Sequence, residues 1–195
     1  MPSVRCFVAV LLCEELRRNI AAVQDGFKRV APDLKWVAIE NLHVTLKFLG
    51  NVEETQVETV YAAVRRAARG SAPFEITVAR GGAFPDPRRP RIVWVGMDAG
   101  AAQLVRLAGH TESELAAAGF PIEDREFKPH VTIGRARNSG RGPNLSRVVE
   151  ETGEGPIGSQ VVSSVAVMRS DLRPSGPTYT PLLEVELGEG AGEES

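Results

Sequence analysis

Short apolar runs alternate along this chain with stretches in which apolar residues recur every three or four positions. Residues 4–12 are almost continuously apolar and read as a buried strand. From Glu14 to about Val30, Leu16, Ile20, Val23 and Phe27 share one stripe of a helix, which ends before Pro32. Residues 36–39 are short and extended and lead into a strand over residues 42–49. Asn51 and Glu54 resemble a helix start, and Val57, Val60, Tyr61, Val64 and Ala68 continue at helical spacing to about Arg69. Residues 74–79 alternate like a strand, residues 81–90 predict a long connection, and residues 92–97 predict another strand. Leu104, Leu107 and Leu115, set among alanines, predict a helix over roughly 101–118, closed by Gly119. A strand follows Pro129. Residues 138–159 are polar and rich in glycine, with a short helix near 145–150. Residues 161–169 and 179–187 read as the last strands, and residues 188–195 have the composition of a disordered acidic tail.

This order, with strands running in pairs, favours α+β over a doubly wound parallel sheet. Two of the strands carry the same tripeptide, His43-Val44-Thr45 and His130-Val131-Thr132, which takes up two of the three histidines. Side chains alternate along a strand, so each copy delivers an imidazole and a hydroxyl to one face and a valine to the other. A duplicated lobe is the economical reading: two similar halves, each with one His-x-Thr, facing across a cleft. Residues 1–187 then form one two-lobed unit.

Composition narrows the chemistry. The chain has 195 residues, 43% of them hydrophobic and 25% charged, with a formal net charge of −2. No global basic field draws it to nucleic acid, so any polyanion contact must be local. Arg88, Arg89 and Arg91 form one basic cluster, and Arg135, Arg137 and Arg141 another; each reads equally as a solvated face. Cys6 and Cys13 are expected to be small buried hydrophobes, and no ligand spacing suggests a zinc site. The N-terminus has no secretory pattern and its apolar run is too short to span a bilayer, so the expectation is a cytoplasmic protein. No sustained apolar stripe remains for a partner, so a monomer is expected.

Two imidazoles and two hydroxyls around one cavity suit acid–base chemistry at a phosphodiester. One histidine activates the attacking oxygen and the other protonates the leaving one, while the threonines hydrogen-bond the non-bridging oxygens. Arg135 could add a charge-assisted contact, yet strict alternation turns it away from His130 unless Gly134 bends the strand. His110 reads as a surface residue. Trp36 and Trp94 read as packing residues, and Lys47 and Lys128 as solvated flanks.

The segments Arg5-Cys6-Phe7-Val8-Ala9, Trp36 then Asn41-Leu42-His43-Val44-Thr45-Leu46-Lys47-Phe48-Leu49-Gly50, Pro90-Arg91-Ile92-Val93-Trp94-Val95-Gly96 and Phe127-Lys128-Pro129-His130-Val131-Thr132-Ile133-Gly134-Arg135 carry a resemblance. So do Gly82-Ala83-Phe84-Pro85 and the stretch from Ser170 to Tyr179. The chain resembles the two-histidine phosphoesterase superfamily, and within it the RNA 2′,3′-cyclic phosphodiesterase branch, also called the 2′-5′ RNA ligase family. The resemblance implies a bilobal α+β fold with antiparallel sheets lining a central cleft and helices outside, and no metal or other cofactor. It implies opening of an RNA-terminal 2′,3′-cyclic phosphate to a 2′-phosphomonoester. His43 would then be the acid and His130 the base, although the pseudo-symmetry leaves that direction open. Thr45, Thr132 and Arg135 would hold the phosphate, and Phe7 would stack near the terminal base. Gly134 departs from the family, which often has a larger residue there.

Reversible ligation of a 2′-5′ linkage would use the same residues, and so would a different cyclic or 2′-5′ nucleotide. A non-catalytic binder of RNA 3′ ends and a metallohydrolase are further alternatives. The retention of both histidines argues against the binder, and the lack of a third ligand against the metallohydrolase.

Overall fold

The computed structural model describes residues 2–137, 143–153, 155–174 and 176–188. Its strands are β1 (Ser3–Leu11), β2 (Lys35–Trp36), β3 (His43–Glu53), β4 (Phe74–Phe84), β5 (Ile92–Met97), β6 (His130–Arg135), β7 (Pro156–Val162), β8 (Ser164–Arg173) and β9 (Gly176–Glu186). The helices are α1 (Glu14–Val30), α2 (Val57–Arg69), α3 (Ala101–Ala117) and α4 (Ser146–Glu151). None of the described helices is long and apolar enough to cross a membrane.

The strands join in one antiparallel sheet of order β7-β4-β5-β6-β3-β1-β8-β9, with the short β2 added beside β6. β3 and β6 carry the two His-Val-Thr copies and are neighbours at the middle, joined through the single pair Val44↔Val131. The sheet therefore divides there into two halves, which are the expected lobes. They are not the two halves of the chain. The lobe containing His43 is completed by the C-terminal β8 and β9, and the lobe containing His130 by β4 and β5 from earlier in the sequence. The helices follow the same exchange, with α1 packing on β7 and α3 on β3. One face of the sheet and the helices share a core that includes Val8, Leu16, Ile20, Phe27, Val44, Leu104, Leu115, Val131 and Ile133.

Several element boundaries differ from the periodicity. β4 runs on to Phe84 through the predicted connection, with Arg80 in the left-handed region (φ 59°) as an extra residue between Ala79 and Gly81. Gly82 fits there because the Trp94 ring lies where its Cβ would be. The polar stretch after Asn138 contains β7, a strand that the composition hides, and Ser163 divides the predicted strand over 161–169 between β7 and β8. β3 continues to Glu53, and a short 3-10 turn at Glu54–Gln56 precedes α2. Cys6 is buried, but Cys13 is exposed and caps α1, its Sγ accepting the Leu16 N–H at 3.5 Å. Lys47 is not solvated. Its ammonium is buried and donates to both Glu112 carboxylate oxygens (2.7 and 2.8 Å) and to the Pro121 carbonyl (2.7 Å). Arg141 and residues 189–195 of the expected tail lie outside the described residues.

A bulge follows each His-Val-Thr. On β3, Thr45 pairs with Ala9 and Lys47 with Val8, so Leu46 is the extra residue. On β6, Thr132 pairs with Trp94 and Gly134 with Val93, so Ile133 is the extra residue. A bulge resets the alternation of faces. Leu46 and Lys47 both turn toward the helices, as do Ile133 and Gly134, and the next residues, Phe48 and Arg135, return to the face of the histidines. Gly134 is bare because Trp36 packs over it; an added Cβ would stand 2.7 Å from the indole. Gly134→Ala is expected to overpack this contact and lower the unfolding free energy by about 1–3 kcal/mol. A urea midpoint equal to that of the unsubstituted chain would contradict this account of the bulge.

Candidate functional site

The pairing of Val44 with Val131 fixes what surrounds it. Continued by one residue on each side, the antiparallel register sets His43 across from Thr132 and Thr45 across from His130. Both valines are fully buried on the helix side, so the four polar side chains share the opposite face, half-exposed in the cleft. The two imidazoles occupy diagonal corners of this square, each beside the other strand's threonine.

Each ring is held in the same way. His43 Nδ1–H donates to the Asn41 carbonyl at 2.7 Å, and His130 Nδ1–H donates to the Lys128 carbonyl at 2.6 Å. A carbonyl only accepts, so both neutral rings carry their proton on Nδ1 and present Nε2 as the basic atom. The two Nε2 atoms differ in their partners. That of His43 accepts from the Thr45 hydroxyl at 2.8 Å when the ring is neutral, whereas that of His130 has no hydrogen-bond partner among the described residues.

Aromatic rings wall both sites. Phe7 and Tyr179 lie 4.9 and 5.4 Å from His43 between ring centroids, the tyrosine edge-on. Phe84 and Trp94 lie 5.6 and 6.5 Å from His130. This burial lowers the pKa of both histidines below the ordinary 6.5, against the raising effect of the carbonyl hydrogen bonds. The Arg135 guanidinium lowers both further, and His130 also lowers His43. Burial pushes the Tyr179 phenol up, while Arg135 and Arg5 pull it down. Arg135 is thus close enough to bear on both histidines and on Tyr179, on the cleft side to which the bulge at Ile133 delivers it.

The structure therefore brings His43, Thr45, His130, Thr132 and Arg135 together. Phe7 is also there but is only 3% exposed, packed among His43, Phe48 and Tyr179, with no open face on which a base could stack. The exposed ring is Phe48, at 58%, which the strand pattern alone does not single out. It occupies in the first copy the place that Arg135 holds in the second, five residues after the histidine. Aligning the two copies would have singled it out. Trp94 packs on the cleft side of the sheet, and its buried indole N–H has no acceptor among the described residues. His110 is exposed, 3.2 Å from the Ser71 hydroxyl and apart from the cleft. Arg88, Arg89 and Arg91 are exposed between β4 and β5. Among the described residues no group of three or more His, Cys, Asp or Glu side chains could hold a metal ion.

A family model described as LigT-like phosphoesterase matches the chain twice in tandem, over residues 10–94 and 95–179. A protein of Methanothermobacter thermautotrophicus named RNA 2′,3′-cyclic phosphodiesterase is 38% identical over 180 residues, spanning 92% of this chain and 97% of the relative. One of the same name from Aquifex aeolicus is 35% identical over 193 residues, spanning 96% and 100%. Among solved structures, TT0787 of Thermus thermophilus superposes with a TM-score of 0.77 at 31% identity, covering 95% of this chain and 99% of its own. Escherichia coli LigT complexed with 3′-AMP superposes with a TM-score of 0.75 at 26% identity, covering 96% and 100%.

The histidine shifts carry a sign for stability. Both folded pKa values lie below the unfolded one, so on acidification the unfolded chain takes up these protons first. Their contribution is complete above about pH 6.5 and is lost as the pH falls through the folded values. The melting temperature is expected to drop between about pH 7 and 5, and less steeply in a His43→Gln/His130→Gln double variant. Parallel profiles for the two proteins would refute this.

Proposed function

The chain belongs to the LigT-like phosphoesterase family, and from that premise we propose that it opens RNA-terminal 2′,3′-cyclic phosphates to 2′-phosphomonoesters without a metal, using His43 and His130 as acid and base. The observation that carries this reading is the diagonal pair of imidazoles on one face of the sheet, each tied by Nδ1 to a carbonyl so that Nε2 is its basic atom. Diagonal corners suit groups that must act on opposite sides of a phosphorus atom.

In the reaction, water attacks phosphorus and the bond to O3′ breaks. His130 is the base, since its Nε2 lone pair is unengaged; it takes the proton from water. His43 is the acid, and its protonated Nε2 delivers a proton to O3′. The products are a 2′-phosphate and a 3′-hydroxyl, with His43 neutral and His130 protonated, and solvent exchange resets the pair. Thr45 and Thr132 donate hydrogen bonds to the non-bridging oxygens, and Arg135 adds a charge-assisted contact as negative charge builds there. Phe48 offers the exposed ring on which the terminal base stacks, with buried Phe7 supporting it from beneath.

The test is incubation, with chelator present, of a short RNA ending in a 2′,3′-cyclic phosphate, followed by mapping of the product phosphate. A 2′-phosphate is expected, with His43→Ala and His130→Ala each reducing the rate by about 10²–10⁴-fold while retaining a cooperative melt. A 2′-5′ joined product would favour ligation, and binding without turnover would leave a binder of RNA ends. A loss of turnover on chelation would point to metal-assisted hydrolysis. The pH profile is a separate check. Catalysis needs one ring protonated and the other neutral, and both pKa values are lowered, so kcat/KM should follow a bell with its maximum below about pH 6.5. A maximum above about pH 7.5 would contradict the assignment of this pair.

A further inference from the structure

A cavity of about 700 Å³ has Arg135, Phe7, Phe48 and Tyr179 in common with the site just described. Its other walls include Arg5, residues 35–38, Glu40, Asn41 and the β8–β9 hairpin. Asn41 ties two of these walls together, its Nδ2 donating to the Pro177 carbonyl at 2.9 Å.

Charge is unevenly spread over this lining. Arg5, Lys35 and Arg135 stand against a single carboxylate, Glu40. Lys35 and Arg135 are direct cross-strand partners in the β2–β6 pairing, so they project from the same face of the sheet. Like charges placed directly opposite each other on neighbouring strands destabilise a sheet. No salt bridge among the described residues relieves them, because Lys35, Arg135 and Arg5 take part in none. Arg5 joins the group from β1. It lies two residues before Phe7 on the same face, and both it and Arg135 act on the Tyr179 phenol. An arrangement that is unfavourable when empty becomes favourable when anions occupy it. Arg135 serves one such anion, the reacting phosphate, which leaves Lys35 and Arg5 for a second.

We infer that Lys35 and Arg5 form a second phosphate subsite, which takes the phosphodiester joining the terminal nucleotide to the rest of an RNA strand. The inference rests on the proposed reaction and adds to it a preference for polymer ends over free cyclic mononucleotides. Contacts to the backbone phosphate position the strand without reading its bases, so the preference is independent of sequence. The cavity has the size of a ligand pocket, about 300–1,000 Å³, and the exposed Phe48 ring and Tyr179 in its lining suit a nucleoside beside the bound phosphate.

The experiment compares kcat/KM for a tetraribonucleotide ending in a 2′,3′-cyclic phosphate with that for adenosine 2′,3′-cyclic monophosphate, which has no 5′ phosphate. The intact enzyme is expected to favour the tetranucleotide. Lys35→Gln and Arg5→Gln should each cut that preference by about tenfold, and Lys35→Arg should largely restore it. The salt dependence of the tetranucleotide reaction should weaken by about 0.7 in log–log slope per charge removed. Arg147→Gln, which removes an exposed charge on α4, serves as the control and should alter neither the preference nor the slope. Equal loss on both substrates, or no loss on either, would overturn the subsite while leaving the proposed reaction standing. Failure of the intact enzyme to open either substrate would overturn the reaction and the subsite together.

Discussion

Val44 and Val131 meet as the only ladder pair between β3 and β6, and both are withdrawn entirely from solvent. That contact decides which side of each strand faces the core. The buried valines pull the two strands against the helices, and the alternation of side chains then leaves His43, Thr45, His130 and Thr132 on the other face. A slip of one residue in either strand would send a valine into the cleft and an imidazole into the core. The same apolar pair therefore supplies cohesion between the lobes and register to the site.

The polar groups gain their character from this placement. Each imidazole is fixed by a carbonyl two residues earlier in the chain, so the tautomer is set locally and identically in both copies. Aromatic walls and a neighbouring guanidinium then depress both pKa values, which makes a doubly protonated pair costly. The symmetry is broken just past the bulges. One copy presents an exposed phenyl ring there and the other a guanidinium, so a single duplicated motif gives a cleft with an apolar ring at one position and a cation at the matching one.

Much of this was legible in the sequence because periodicity reports burial. The helices α1, α2 and α3 and the two His-Val-Thr strands have one-sided apolar patterns, and all fall close to their expected places. The features that escape such a reading depend on partners distant in the chain. β7 holds a proline, a glycine and two polar residues, Ser159 and Gln160, which an edge strand tolerates and a composition-based reading takes for a loop. Lys47 gives no local sign of burial, since its carboxylate partner is Glu112 on α3. The bulges at Leu46 and Ile133 reverse the face on which Phe48 and Arg135 emerge, and they are set by pairing with β1 and β5. Gly134 was the one local hint, a bare position under Trp36.

The exchange of strands between the halves of the chain has a consequence for how the molecule comes into being. The wall of His43 includes Tyr179 of β9, although that histidine belongs to the third strand made. A nascent chain that has emerged only as far as β6 holds both histidines but lacks β8 and β9, leaving β1 an open edge. Contacts of such long sequence separation close late and slowly. The two tandem copies, though each is a complete repeat in sequence, are thus not separable folding units. The chain must be nearly finished before His43 has its full surroundings, whereas the neighbours of His130 are all made by the end of β6.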